Sequence, residues 1–310
     1  MTQWEPTVKK LSDAEPSAKD ERESLRKGRA LFREGRFDEA RRAFEELLAD
    51  LPKSAGAHLG LGLVLLRRGS PEEAGAHFVE ARKLDPLLPK AYVLEGQALL
   101  EQGHFEPAMA AFRDALTLDP KAVRAMVGLG QALVRQQRLA EALETLNAAL
   151  RYEPRKVLPR LLLAEIHGGQ GRAADAIAEL RLVLEIDPQH VRAANLLAKT
   201  LVGADDRAEA ERVLRAAVAR SADESARLVQ LGRAALDLEF FQIAEDALLA
   251  ALQRDPDRAA IRLHLVEALL ANGKLEAAEQ QARKLPQSGQ TASLVHKLLG
   301  DVHLRRKQFR

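Results

Sequence analysis

The feature that most constrains this chain is a 34-residue period that continues without interruption. Stepping by 34 from Ala40 gives Ala74, Ala108, Ala142, Ala176, Ala210, Ala244 and Ala278, so all eight are Ala. The same step from Pro52 gives Pro86, Pro120, Pro154, Pro188, Ala222, Pro256 and Gln290, six of eight being Pro. From Gly28 it gives Gly62, Gly96, Gly130, Ala164, Ala198, Gly232, Val266 and Gly300, eight of nine being Gly or Ala. No insertion breaks the register, which marks a repeat architecture rather than one closed core. The repeats are 21–54, 55–88, 89–122, 123–156, 157–190, 191–224, 225–258 and 259–292.

The physics of one repeat is legible in residues 55–88. His58, Leu61 and Leu65 recur at helical spacing around Gly62, which predicts a first helix with an apolar stripe. Gly69 stops it, and Pro71 opens a second helix where a missing N–H costs nothing. Glu72 and Glu73 suit the positive end of that helix. Ala74, Phe78 and Ala81 form its stripe, and Asp85-Pro86 ends it, because a residue before Pro avoids the α region. Gly62, Ala74 and Ala81 allow close approach of the two helices; a Leu there would overpack the contact at a cost of about 1–3 kcal/mol. One such hairpin cannot bury both its faces, whereas a stack of them can.

These residues resemble the tetratricopeptide repeat. Its pattern appears as Leu61-Gly62-x2-Leu65, then Ala74-x3-Phe78, then Pro86. The next repeat has Tyr92, Gly96 and Leu99, then Ala108, Phe112, Ala115 and Pro120. The resemblance implies an all-α fold, a right-handed superhelical solenoid of stacked antiparallel helix pairs. Departures exist: Phe44, Phe78 and Phe112 give way to Leu146, Leu180, Leu214 and Leu248, then to Ala282. The eighth repeat has Lys284 to Thr291 where the closing Pro belongs, so its second helix is expected to be shorter and looser.

Residues 1–20 are polar, contain Pro6 and Pro16, and read as a mobile tail. Trp4 is there either an exposed residue or a partner anchor. Residues 293–310 read as the first helix of a ninth repeat, with Leu299 and Gly300 in register, and Gln308-Phe309-Arg310 resembles a turn entry. Two expectations follow: a fragment of a longer protein, or an open end covered by a second copy in a homo-oligomer. The longest apolar run, Leu59 to Leu66, is far short of the roughly 20 residues that span a bilayer. No membrane insertion and a cytoplasmic setting are expected. Aromatic residues make up only 4% of the chain, so the core must be built from Leu, Ala and Val.

In the family, first helices line a concave groove, and positions 2, 5, 9, 12 and 13 of each repeat face it. Position 5 carries Leu25, Leu59, Val93, Val127, Leu161, Asn195, Val229, Leu263 and Lys297, and position 12 carries mostly apolar residues from Phe32 to Leu304. These tracks either pack between hairpins or floor a groove for an amphipathic partner. Positions 2, 9 and 13 discriminate better. In the first four repeats Arg22, Arg29, Arg33, Arg67, Lys90, Arg124 and Arg135 are basic there, and Glu101 alone is acidic; Gln97 and Gln131 share position 9. Beyond them, Arg192, Lys199, Arg233 and Arg305 face Glu165, Asp237, Glu267 and Asp301. With a net charge of only +2, the chain concentrates positive charge in the N-terminal half of the groove. That pattern fits either a solvated helix face or an acidic protein or peptide partner, for which Arg supplies bidentate carboxylate contacts.

Several features test narrower functions. The family's clamp for a peptide C-terminus needs Lys at position 5 and Asn at 9; Asn195 and Lys199 stand in the reverse order. His167-Gly168-Gly169-Gln170-Gly171 is expected to end the fifth first helix early, and with Gly203 to leave a notch in mid-groove. Phe240 takes a slot that is usually polar, such as Arg36 or Arg172, and is a candidate exposed contact beside a buried Phe241.

Catalysis finds no support. The chain has no Cys, no H-E-x-x-H, no G-K-[ST] loop and no G-x-S-x-G. Gly60-Leu-Gly62 and Gly128-Leu-Gly130 follow no strand, so they cannot cradle a dinucleotide. His58, His167, His296 and His303 fall in core slots, and the last two stand about 10 Å apart, too far to share a metal. No cofactor and no metal are expected. Aliphatic tracks offer no base-stacking platform, and +2 overall supplies no field for nucleic acid. Three classes stay open: an interaction scaffold, the regulatory or docking part of a larger enzyme, and a head-to-tail self-assembling protein.

Overall fold

The computed structural model describes residues 18–286, Lys297 and Gly300. Among them are sixteen helices and no strand. The chain divides into two compact units, one ending at Pro154 and the other beginning at Arg155. In the first unit α1 (Ala18–Arg33) packs on α2 (Phe37–Asp50), α3 (Ala55–Arg67) on α4 (Pro71–Leu84), α5 (Pro89–Glu101) on α6 (Phe105–Leu118), and α7 (Val123–Arg135) on α8 (Leu139–Tyr152). The second unit repeats the design with α9 (Val157–Gly169) and α10 (Ala173–Ile186), α11 (Val191–Gly203) and α12 (Arg207–Arg220), α13 (Ser225–Asp237) and α14 (Phe241–Arg254), α15 (Ala259–Ala271) and α16 (Leu275–Arg283). Within each unit every helix also packs on the next in sequence, so hairpins stack on their neighbours. The fold is an all-α solenoid of stacked antiparallel helix pairs.

From α4 onward each helix starts 34 residues after its counterpart in the preceding hairpin. α1 starts at Ala18, so Ala18, Lys19 and Asp20 are helical rather than part of the expected tail. Residues 1–17 lie outside the described residues. So do the expected ninth helix, apart from Lys297 and Gly300, and with it His296, His303, Arg305, Asp301 and the open end that a second copy was expected to cover. α16 is nine residues long against fourteen for α14, the shortening expected where the closing Pro is missing.

The core is built from a repeated pairing of a small residue with a large one. Phe44, Phe78 and Phe112 are at most 1% exposed. Each ring lies over the glycine at position 8 of its own first helix: a Cβ added to Gly28 would stand 2.6 Å from Phe44, one on Gly62 2.5 Å from Phe78, and one on Gly96 2.8 Å from Phe112. Two rings are held from the next hairpin as well, Phe44 by Gly60 and Phe112 by Gly128. The glycines are therefore seats for a ring, rather than simple points of close backbone approach.

Turns and helix ends have equally local causes. The residue two places before each second helix adopts a positive φ in all eight hairpins: Gly35, Gly69, Gly103, Gln137, Gly171, Asp205, Glu239 and Gly273. At the other end, the carboxylates of Asp85, Asp119 and Asp187 accept from the backbone N–H of Leu87, Lys121 and Gln189. The Asp of Asp-Pro thus folds the loop by an Asx-turn while the Pro blocks helix continuation. Ala222 replaces Pro in the sixth repeat, yet α12 still stops at Arg220, with the Ser221 N–H donating to the Ala217 carbonyl.

Two local expectations are corrected. α9 does not end early; it runs to Gly169 and has the same thirteen residues as α7 and α11. Its carbonyls at Ile166 and His167 accept from Gln170 and Arg172, bonds that need no side chain at the glycines. Phe240 is buried, at 7% exposure, with the Arg207 guanidinium 4.4 Å from its ring centre, whereas Phe241 is only half-buried. In three other hairpins this slot holds an Arg that reaches a carboxylate three residues on: Arg36 to Glu39, Arg138 to Glu141 and Arg172 to Asp175. Here the third residue on is Ile243, in the same apolar cluster as Phe240, so an aromatic residue packs inward.

Candidate interaction surface

In the first unit consecutive first helices touch, α1 with α3, α3 with α5 and α5 with α7. Consecutive second helices of this unit, α2 with α4, α4 with α6 and α6 with α8, make no comparable contact among the described residues. The first-helix layer is therefore the inner side of this unit's curve, the side on which the family resemblance places positions 2, 9 and 13.

The apolar tracks turn out to be mostly packing. Leu59, Val93 and Val127 at position 5 are buried, as is Leu66 at position 12, while Leu25, Phe32, Leu100 and Val134 are half-buried. A polar surface lies above them. Arg22, Arg29, Arg33, Arg67, Lys90, Arg124 and Arg135 are all exposed. None of the seven forms an ion pair among the described residues. In the same unit, off these positions, Arg36, Arg41, Arg68, Arg82, Lys83 and Arg138 are each paired with a carboxylate, whereas Arg26, Lys27, Arg42, Lys53, Arg113, Lys121 and Arg151 form no ion pair among the described residues either. Gln97 is exposed and Gln131 half-buried on the same inner side.

The positive charges also feel one another. Partial burial, and then the charges of Arg29 and Arg124, hold the Lys90 ammonium below the usual lysine range. Arg33 donates from Nε to the Arg29 carbonyl at 3.3 Å, and the Arg67 guanidinium lies 5.9 Å from the centre of the Phe32 ring. Such contacts orient guanidinium groups without neutralising them.

The second unit is different. Glu165 at position 9 of α9 forms an ion pair with Arg192 at position 2 of α11. Glu267 accepts from the His264 ring at 3.1 Å on α15. Lys199 and Arg233 are exposed and form no ion pair among the described residues, and Asn195 is half-buried with its Oδ1 buried and unpartnered. A Cβ on Gly168, Gly169 or Gly203 would meet nothing within 4 Å, so the expected notch is open space beside a complete helix.

The Glu165–Arg192 pair explains the contrast between the units, and counting charges by helix had missed it. In this pair, position 9 of one hairpin lies against position 2 of the next. In the first unit the matching slots are Arg29 with Gly56, Leu63 with Lys90, and Gln97 with Arg124. No carboxylate is available in any of them. Writing the two positions side by side, rather than tallying each alone, would have exposed this from the sequence.

Among the described residues, no group of three or more His, Asp or Glu side chains is placed to hold a metal ion. No helix there is long and apolar enough to cross a membrane.

Comparison with known proteins agrees with this architecture. One model of the tetratricopeptide repeat matches residues 25–89, 93–156, 140–191 and 229–293, and a second matches 169–236. No curated protein matches the chain. Among solved structures, PilF of Pseudomonas aeruginosa is similar with a TM-score of 0.60 and 21% identity, over 72% of this chain and 96% of its own. A tetratricopeptide repeat protein of Parabacteroides merdae gives 0.58 and 16%, over 81% and 100%. A thermophilic protein of the same kind from Thermus thermophilus gives 0.51 and 24%, over 59% and 99%. At these identities the likeness concerns the fold. With family-model matches across most of its length and hairpins in unbroken register, the chain belongs to the tetratricopeptide repeat family.

Proposed function

We propose that this protein is an interaction scaffold whose first unit binds an acidic segment of a partner protein along its inner face. The observation that carries the reading is the set of seven exposed cations, Arg22, Arg29, Arg33, Arg67, Lys90, Arg124 and Arg135, that have no carboxylate partner among the described residues. Unpaired cations on one curved face attract anions from a distance and bind them by charge-assisted hydrogen bonds on arrival. Because the position 5 residues are packed away, recognition rests on charge and on the amides of Gln97 and Gln131 rather than on a long apolar stripe. Four first helices at about 8–10 Å spacing span about 30 Å, the reach of roughly nine extended residues. In the second unit, taken by itself, Glu165, Asn195, Lys199 and Arg233 are a mixed set suited to a less charged partner segment. The scaffold acts without cofactor or catalysis, in the cytoplasm.

The test is fluorescence anisotropy with a labelled Asp/Glu-rich peptide of about twelve residues, long enough to cross the face. Binding to the wild type is expected to weaken steeply with added salt. It is expected to fall at least about tenfold, roughly 1.4 kcal/mol, in the Arg29→Glu, Arg33→Glu, Arg67→Glu, Arg135→Glu variant. Equal binding by both proteins would refute the assignment.

A further inference from the structure

A separate surface lies in the second unit, between α10 and α12, the second helices of consecutive hairpins. Its origin is position 4 of the first helix. That slot holds His58, Tyr92, Met126, Arg160, Leu228 and Arg262, but in the sixth repeat it holds Ala194. The long side chains there act as plugs. On their own second helix, His58 meets His77 at 3.0 Å, Arg160 pairs with Glu179 at 2.6 Å, and Arg262 donates to Gln281 at 2.7 Å. In the preceding loop, His58 reaches the Pro52 carbonyl at 3.2 Å, Tyr92 that of Pro86 at 3.0 Å, and Arg262 that of Pro256 at 2.7 Å. The Ala194 methyl can make neither contact. A groove of about 200 Å³ opens in the plug's place, walled by Leu184, Val213, Ala216 and Ala217 and reaching Pro188. Val213 occupies the slot of His77, Glu179 and Gln281, and the Pro188 carbonyl accepts no hydrogen bond among the described residues.

We infer that this groove receives a tyrosine side chain, flanked by carboxylates, from a partner protein. Tyr92 shows the fit. In the third repeat a phenol ring fills the same place, with its hydroxyl on the Pro86 carbonyl and the Arg82 guanidinium 5.4 Å from its centre. A tyrosine entering beside Ala194 repeats that arrangement, its ring against apolar walls and its hydroxyl on the Pro188 carbonyl. Phenylalanine brings no donor for that carbonyl. A cationic arginine, the plug at positions 160 and 262, is repelled here because the rim is positive. Arg181 and Arg212 share one carboxylate, Glu209, and Arg220 lines the groove, is exposed and forms no ion pair among the described residues. The same cations attract carboxylates on either side of the tyrosine. The groove lies wholly within the second unit and does not depend on the acidic segment assigned to the first.

The probe is a labelled peptide of about twelve residues with a central Tyr between Glu residues, compared with the same peptide carrying Ala for Tyr, in fluorescence anisotropy with the full chain. The tyrosine form is expected to bind about tenfold more tightly, the scale of one buried aromatic anchor. That ratio is expected to fall to about twofold or less in Ala194→Tyr and in Ala194→Met, which restore the plugs of the third and fourth repeats. Thermal melts at or above that of the wild type verify that both variants fold, as filling a groove predicts. In the Arg29→Glu, Arg33→Glu, Arg67→Glu, Arg135→Glu variant the ratio is expected to stay at about tenfold even where both peptides bind less tightly, so groove and inner face are read separately. Equal affinity for the two peptides in the wild type, binding of neither, or a tyrosine advantage that persists in both plugged variants would overturn the inference. A ratio that collapses in the charge-reversed variant would place the tyrosine on the inner face and would also overturn it. A peptide of residues 1–12, which carries Trp4 beside Glu5, is the competing probe. If it binds the wild type more tightly than the tyrosine peptide and loses that binding in Ala194→Tyr, the groove belongs to a second copy of this chain and the partner assignment falls.

Discussion

The ring of Phe112, on α6, lies across the backbone of Gly128, on α7, so closely that a methyl group at Gly128 would stand 2.3 Å from Cζ. The same ring covers Gly96 of α5 at 2.8 Å, so one side chain locks three helices from two hairpins. Gly128→Ala is expected to destabilise the protein. The gain in helix propensity is about 1 kcal/mol, and overpacking against a rigid ring costs about 1–3 kcal/mol. Phe112→Leu is expected to cost less in the Gly128→Ala background than alone, with a coupling on the order of 1 kcal/mol in a urea double-mutant cycle. Additive effects would show that ring and glycine do not compete for the same space.

The left-handed turn position predicts a gain rather than a loss. Gln137 and Glu239 hold φ values of 58° and 61° where five other hairpins have glycine. An L-residue there costs about 1–2 kcal/mol, against a smaller entropic penalty of about 0.4–1 kcal/mol for glycine in the unfolded chain. Gln137→Gly is therefore expected to raise the melting temperature, and Gly103→Ala to lower it. Identical melts would mean that the turn does not constrain φ.

An acid-sensitive contact ties α3 to α4. His58 Nε2 meets the Pro52 carbonyl at 3.2 Å, so that nitrogen carries the proton when the ring is neutral, and His58 Nδ1 then accepts from His77 Nδ1 at 3.0 Å. Burial, and then the facing His58, hold the His77 pKa below the usual imidazole value, with Glu73 on α4 and Glu45 on α2 pulling the other way more weakly. A depressed imidazole pKa means that the unfolded chain binds more protons below about pH 6.5, so stability falls on acidification from pH 7 toward 5. Urea midpoints across that range are expected to drop less in His77→Leu than in wild type. A parallel drop in both would remove His77 from the cause.

In the second unit Glu245 is 6% exposed, and both its oxygens lie 2.8 Å from Lys274 Nζ, with Asn272 Nδ2 at 2.7 Å from Oε2. Lys274→Met leaves that carboxylate with the Asn272 amide as its remaining side-chain partner among the described residues. Removing one partner of a fully buried pair costs about 3–5 kcal/mol, and because the Lys274 side chain is 44% exposed the loss here is expected at about 1–3 kcal/mol. Adding Glu245→Leu to Lys274→Met is expected to recover most of it. A double variant no more stable than Lys274→Met would show that the carboxylate carried no buried charge.

Much of this was legible in the sequence, because a 34-residue period fixes both the helices and their neighbours. The pairing of small with large was present as two separate ladders. Gly28, Gly62 and Gly96 stand against Phe44, Phe78 and Phe112; Gly130 and Gly232 against Leu146 and Leu248; Ala164 and Ala198 against Leu180 and Leu214; and Val266 against Ala282. Read together, the two ladders hold the summed volume nearly constant, which is what packing at crystal density demands. Less legible were contacts that depend on one hairpin's neighbour. Phe240 turned inward because Ile243 replaced a carboxylate, and Arg192 was neutralised by Glu165 from the preceding hairpin. Residue type alone signals exposure poorly where an aromatic ring can trade places with an Arg stem.

The inner-face assignment is tested most directly by photo-crosslinking. A photoreactive residue is placed at Gln97, on the inner side of α5, or at Arg113, exposed on α6, and the protein is illuminated with the labelled acidic peptide. Crosslinks from position 97 that disappear at high salt, with none from position 113, are the predicted result. Equal crosslinking from both positions, or crosslinking from 113 alone, would contradict it.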